Sequence, residues 1–150
     1  MNLKNKSFVL ATASEQNQIN RKMLVWLNTF PDKPVDVIRY EDLMAGTVGM
    51  ALSTIQGTYI TRRYILGGHE AEYQFKVVYR IAPGNSIDKR LQADELLDVL
   101  GDWAMSNPPN LGEGIQVKRI AVTARSSVFA MYENGEEDHQ ILMTLTYEVI

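Results

Sequence analysis

The sequence predicts an α+β fold, an antiparallel-rich mixed sheet with hairpins, flanked by two main helices on one face. Three observations predict it. Two segments repeat apolar residues at helical spacing, one segment switches to strict alternation, and short turn-forming clusters of Gly, Pro and Asn separate the segments.

The first element is a helix. In "SEQNQINRKMLVWLNTFP" (14–31), Ser14 is placed to cap the N-terminus, and Ile19, Met23, Trp26, Leu27 and Phe30 recur on one helical face. Pro31 cannot continue it. "VDVIRY" (35–40) reads as a short strand, while "EDLMAGTVGMA" (41–51) reads as a helical turn broken at Gly46 and Gly49.

The period then changes from 3.6 to 2. In "AEYQFKVVYRI" the residues Ala71, Tyr73, Phe75, Val77, Tyr79 and Ile81 alternate with Glu72, Gln74, Lys76 and Arg80, so one face of a strand is buried. Upstream, Ile60, Tyr64 and Leu66 alternate in the same way. A two-residue turn at Gly67-Gly68 pairs 59–66 with 71–82, with Ile60 opposite Phe75, Tyr64 opposite Ala71 and Arg63 opposite Glu72. That pairing leaves Arg62 on the apolar face, and Val78 and Ile65 as apolar residues on the outer one.

Pro83-Gly84 ends the strand, and Ser86 caps a second helix over 87–105. Its inner stripe is Ile87, Leu91, Leu96, Leu97, Leu100, Trp103 and Ala104, with Asp88, Asp94, Glu95, Asp98 and Asp102 mainly on a solvated acidic face. Residues 115–122, 126–133 and 139–150 read as strands, the last with Ile141, Met143, Leu145, Tyr147 and Val149 inward. Between the last two, Asn134-Gly135 fits a tight two-residue hairpin that sets Val128 opposite Ile141. A longer, odd loop instead aligns Phe129 and Met131 with the apolar face, and is preferred because it buries more. With that longer loop Glu136, Glu137 and Asp138 are expected as loop carboxylates.

Length and composition bound the function. The 150 residues suffice for one domain, 1–150, and 45% hydrophobic with 22% charged content is that of a folded chain. Cysteine is absent, which excludes disulfides and thiolate metal sites. The start "MNLKNKSFVLATASEQ" is too short and polar in its apolar run for a signal peptide, and no stretch approaches the ~20 apolar residues of a membrane span. A soluble, unexported protein is expected. The net charge of −3 gives no pull toward nucleic acid. Residues 1–82 hold 10 Lys/Arg against 7 Asp/Glu, and 83–150 hold 5 against 11, a division suited to head-to-tail binding between copies.

No phosphate loop, nucleophile elbow, dinucleotide fingerprint or metal-ligand spacing occurs, and His69 and His139 have no nucleophile nearby in sequence. Gly67-Gly68 runs strand to strand, whereas phosphate loops run from a strand into a helix. The residues therefore predict no enzyme, no cofactor and no metal. A pocket lined by Tyr64, Tyr79 and Arg62 is the alternative, in a small-molecule-binding domain.

The layout resembles the minor capsid and tail-terminator-like proteins of long-tailed bacteriophages and prophages. The resemblance rests on "GGHEAEYQFKVVYRIAP", "RLQADELLDVLGDWAM" leading into "NPPNLGEG", and the closing "FAMYENGEEDHQILMTLTY", over residues 55–150. It implies a structural morphogenesis protein that forms a ring, such as a hexamer, caps the tail tube and joins tail to head. The implied partners are other copies of itself, the tail-tube protein and a head-completion or connector protein, with no membrane and no sequence-specific nucleic-acid contact. The implied place is the virion tail or neck, after assembly in the bacterial host cytoplasm. A neck or head-completion role is the neighbouring alternative. No catalytic residue transfers. From their place at the hairpin tips, Arg62, Arg63, Glu136 and Glu137 are the candidate subunit or tail-tube contacts.

Overall fold

The computed structural model describes residues 9–43, 46 and 48–150. The lysine-bearing start 1–8, and residues 44, 45 and 47 of the ambiguous 41–51 segment, lie outside the described residues. In chain order the elements are β1 (Val9–Leu10), α1 (Ala13–Leu27), β2 (Arg39–Tyr40), β3 (Gly49–Arg63), β4 (His69–Ile81), α2 (Ile87–Ser106), β5 (Ile115–Met131) and β6 (Glu137–Val149). The sheet runs β1-β3-β4-β6-β5, antiparallel throughout, and the two-residue β2 adds a parallel pairing on β3. No helix among the described residues is long and apolar enough to cross a membrane.

Both helices pack on one face of this sheet, as the sequence predicts. The strand residues Tyr73, Phe75, Val77, Ile141, Met143, Leu145 and Tyr147 meet Ile19, Met23 and Leu27 from α1 and Leu97, Leu100 and Ala104 from α2 in one buried cluster. Trp26 and Trp103 stack at 5.1 Å between ring centroids and join the two helices. The Trp26 indole N–H, too costly to bury unpaired, donates to the Asn107 carbonyl at 2.8 Å.

Several expectations are corrected. Thr12, not Ser14, caps α1: its hydroxyl accepts from the Glu15 amide at 3.2 Å, so the helix starts two residues earlier. The helix stops at Leu27, four residues before Pro31, with the Asn28 side-chain amide donating to the Leu24 carbonyl. On α2, Ile87 and Leu91 are exposed, and Ala93 and Gly101 take their place inside. Residues 115–133, read as two strands, form one long β5 broken by irregularities of register. Of 35–40, only Arg39–Tyr40 is strand.

The first hairpin pairs the two expected strands antiparallel, but through a different turn and in a different register. Tyr64 accepts from the Gly67 amide at 3.2 Å and donates to the Gly68 carbonyl at 3.1 Å, so the loop is Ile65-Leu66-Gly67. This is a type I turn closed by a glycine in the left-handed region, φ +97° at Gly67. Arg63 then faces His69 and Arg62 faces Glu70. The register shift between Ile60 and Arg62 moves the chain by one residue, and a slip of one residue exchanges the two faces of a strand. Ile60 stays on the helix-covered side, now opposite Ala71, whereas Arg62 moves to the open side with Glu70. Val78 is buried on that open side, contrary to expectation.

Gly68 is constrained twice. Its φ is +81°, and a Cβ there would collide with the Val149 carbonyl oxygen of β6. Gly68→Ala is therefore expected to cost about 1–3 kcal/mol through backbone strain and splaying of the β4–β6 end. Urea unfolding of the variant checks it, and a midpoint within error of wild type would refute the constraint.

Candidate functional site

The four candidate contact residues divide into two kinds. Arg62 and Arg63 stand exposed beside the β3–β4 tip. Around them, Lys118 pairs with Glu70 at 3.0 Å, and the Tyr64 hydroxyl donates to Glu148 at 2.8 Å. That hydrogen bond to a carboxylate is the main reason the Tyr64 phenol is raised above its ordinary value. The Lys118 ammonium holds the Glu70 carboxyl below its own.

Glu136 and Glu137 are not loop carboxylates. The second hairpin closes as the first does: Tyr132 accepts from the Gly135 amide at 3.1 Å and donates to the Glu136 carbonyl at 2.8 Å. The loop is therefore Glu133-Asn134-Gly135, the odd connection preferred from sequence, and it leaves Phe129 and Met131 exposed instead of burying them. Val128 faces His139, not Ile141. Glu136, Glu137 and Asp138 are all buried. Glu136 accepts from the Gly46 amide at 2.7 Å. Glu137 accepts from Arg90 Nε at 3.0 and 3.1 Å. Asp138 forms a two-bond fork with Arg80, 2.7 Å from Nε and 2.8 Å from Nη2. These bonds satisfy the carboxylates that burial would otherwise leave stranded. Sequence reasoning missed them because a run of three acids after Asn-Gly reads as a loop, and their partners Arg80 and Arg90 lie about fifty residues away in sequence.

A second buried network ties α2 to the end of the sheet. His139 is buried, with Nδ1 2.7 Å from Asp94 and Nε2 3.0 Å from Glu137. The Ser126 hydroxyl donates to Asp94 at 2.7 Å, and its amide donates to Asp98 at 3.1 Å. Two of the α2 carboxylates expected on a solvated face thus anchor β5. Ser126 and His139 meet on one Asp94 oxygen, and this shared carboxylate clamps β5 and β6 to α2.

His69 also has partners that its place in the sequence hides. Its ring lies 2.9 Å from Glu15 in the first turn of α1, and Tyr147 donates to the same carboxylate at 2.6 Å. Burial, then this bond to Glu15, pushes the Tyr147 phenol up. The trio fastens the start of α1 to β4 and β6.

Among the described residues, no group of three or more His, Asp or Glu side chains is arranged to hold a metal ion. The pocket of Tyr64, Tyr79 and Arg62 does not form. Tyr64 sits at the hairpin tip, whereas Tyr79 faces His139 near the other end of β4. Comparison with known proteins finds no matching family model and no matching curated protein.

Proposed function

We propose that this chain is a tail terminator of a long-tailed phage or prophage, a ring-forming structural protein that caps the tail tube and joins tail to head. The observation that carries the reading is β5. It is 17 residues long, and among the described residues it pairs on one side only, with β6. Such an edge presents a row of unpaired backbone donors and acceptors, which a neighbouring chain can complete by strand addition. Lys118, Arg119 and Arg125, all exposed, together with the irregular register, protect it from indiscriminate pairing.

A surface of this kind suits identical subunits in a closed ring better than a small ligand. Head-to-tail contacts close when the rotation allows, and each subunit then uses two different surfaces. The charge division of the sequence supplies less of this than it promises, since three of the carboxylates in the acidic half are buried. Complementarity therefore has to come from local patches.

Electron microscopy of tails assembled with and without the protein tests the reading. Uniform tail length with the protein, and lost length control or failed head joining without it, is the expected result. Normal, uniform, head-competent tails in its absence would remove the role.

A further inference from the structure

The two hairpins have the same loop geometry and opposite chemistry. Each is a three-residue loop flanked by a tyrosine, Tyr64 and Tyr132, and closed by a positive-φ glycine, with φ +97° at Gly67 and +88° at Gly135. In the second, the two residues before that glycine are Glu133 and Asn134, ordinary polar turn residues. In the first they are Ile65 and Leu66, which are 102% and 100% exposed. The turn does not require apolar residues there, as its twin demonstrates. Two adjacent, wholly exposed branched aliphatics at a projecting tip instead have the form of a knob for a partner.

A matching recess lies at the other end of the same strand. Beyond Ile81, a cavity of about 400 Å³ is lined mainly by apolar groups, among them Tyr79, Ile81, Pro83 and Leu96, together with the polar Lys89 and Gln92. Burial raises the Tyr79 phenol, in keeping with an apolar wall. The recess is within the size range of ligand pockets (~300–1,000 Å³), ample for two aliphatic side chains. Knob and recess are separated by the 13 residues of β4, roughly 40 Å at ~3.3 Å per residue, so a chain cannot fill its own recess.

Their surroundings carry opposite charge. Arg62 and Arg63 are exposed beside the knob, with Lys118 on Glu70. No carboxylate lines the recess itself, whose one charged lining residue is Lys89, but its neighbours in the chain are acidic: the exposed Asp32 and Asp36 lie two residues either side of Pro34, Asp88 accepts from the lining Gln92 at 2.8 Å, and Glu95 precedes Leu96. Against these four carboxylates stand Lys33, Lys89 and Arg90, the last already paired with Glu137.

We infer that the Ile65–Leu66 tip of one copy inserts into the Tyr79–Leu96 recess of the next, with Arg62 and Arg63 against its acidic rim. The occupant is a second copy of this chain, because both halves of the contact are on every molecule and at opposite ends. Such a contact is head-to-tail and continues from copy to copy. It rests on the self-association proposed above, but uses a different surface from β5.

The chain has no cysteine, so single introduced thiols report contacts cleanly. Leu66→Cys and Ala82→Cys, purified separately with tags of different size, would be mixed and oxidised, with Ser127→Cys on β5 as the comparison. The expected result is a mixed disulfide between the first two that neither forms with itself. Sedimentation of an Ile65→Asp/Leu66→Asp variant should show association weakened about tenfold or more, with unfolding unchanged because the tip is exposed. Association that survives this double change, with crosslinks through Ser127→Cys but none between positions 66 and 82, overturns the knob-and-recess contact and leaves the ring reading intact. No association of any variant, alone or on purified tail tubes, overturns both.

Discussion

Replacing Asp138 with Ala is expected to destabilise the fold by about 3–5 kcal/mol, because it leaves the buried Arg80 guanidinium without its counter-charge. The two side chains are 10% and 4% exposed, and their fork is closed by the Tyr132 hydroxyl at 2.7 Å from Asp138 and by the Leu43 carbonyl at 2.9 Å from Arg80. The pair lies on the sheet face away from the helices, between β4, β6 and the chain around Leu43. Burial alone would raise the Asp138 carboxyl, but the Arg80 and Tyr132 hydrogen bonds outweigh it and hold the group below its ordinary value of 3.8. A carboxyl lowered by folding stabilises the native state fully above the unfolded value, and this contribution is lost as pH falls through the folded one. The difference in stability between wild type and Asp138→Asn should therefore be constant from neutral pH to about 5 and shrink below pH ~4. Urea unfolding of both proteins at pH 7 and pH 3 measures it. An equal difference at the two pH values would show that the charge of Asp138 is not what the fork depends on.

The same pair shows where sequence reasoning reaches its limit. Alternation in 71–81 places Arg80 on the uncovered side of the strand, and it is there, opposite Asp138. Nothing in that period reveals that Leu43 and Tyr132 cover it. Local patterns carried the apolar faces: Tyr73, Phe75 and Val77, with Ile141, Met143, Leu145 and Tyr147, are inside as their spacing requires. They also carried the existence of both helices and of the hairpins. They failed wherever a single inserted residue changed parity, as at Thr61, and wherever a polar residue was buried by a partner distant in sequence, as with Glu137 and Arg90 or His69 and Glu15. Hydrogen-bond partners across fifty or more residues leave no periodic trace. The exposure of Leu66 is hidden for the opposite reason: placing it in the strand improves the alternation, and only the observed turn takes it out, whereas Ile65 is expected on the outer face and is exposed.

The second large effect is expected at Phe75. Phe75 is wholly buried at the middle of the sheet, facing Thr54 on β3 and Met143 on β6, with its ring 5.5 Å from that of Tyr73. Removing the ring loses its transfer from water and leaves a cavity that three hydrogen-bonded strands cannot collapse to fill. Phe75→Ala should therefore cost on the order of 3–5 kcal/mol. Folded domains are typically stable by ~5–15 kcal/mol, so the variant should remain folded at low temperature but unfold at much lower urea. Phe75→Leu, which keeps most of the apolar volume, should recover much of the loss. If ring packing at the sheet centre supports this fold, the ordering is wild type, then Leu, then Ala, with the denaturant slope unchanged. A loss below about 1 kcal/mol for Phe75→Ala would mean that α1 and α2 settle onto the sheet without it, and the strand alternation that predicts the core would not be what holds it together.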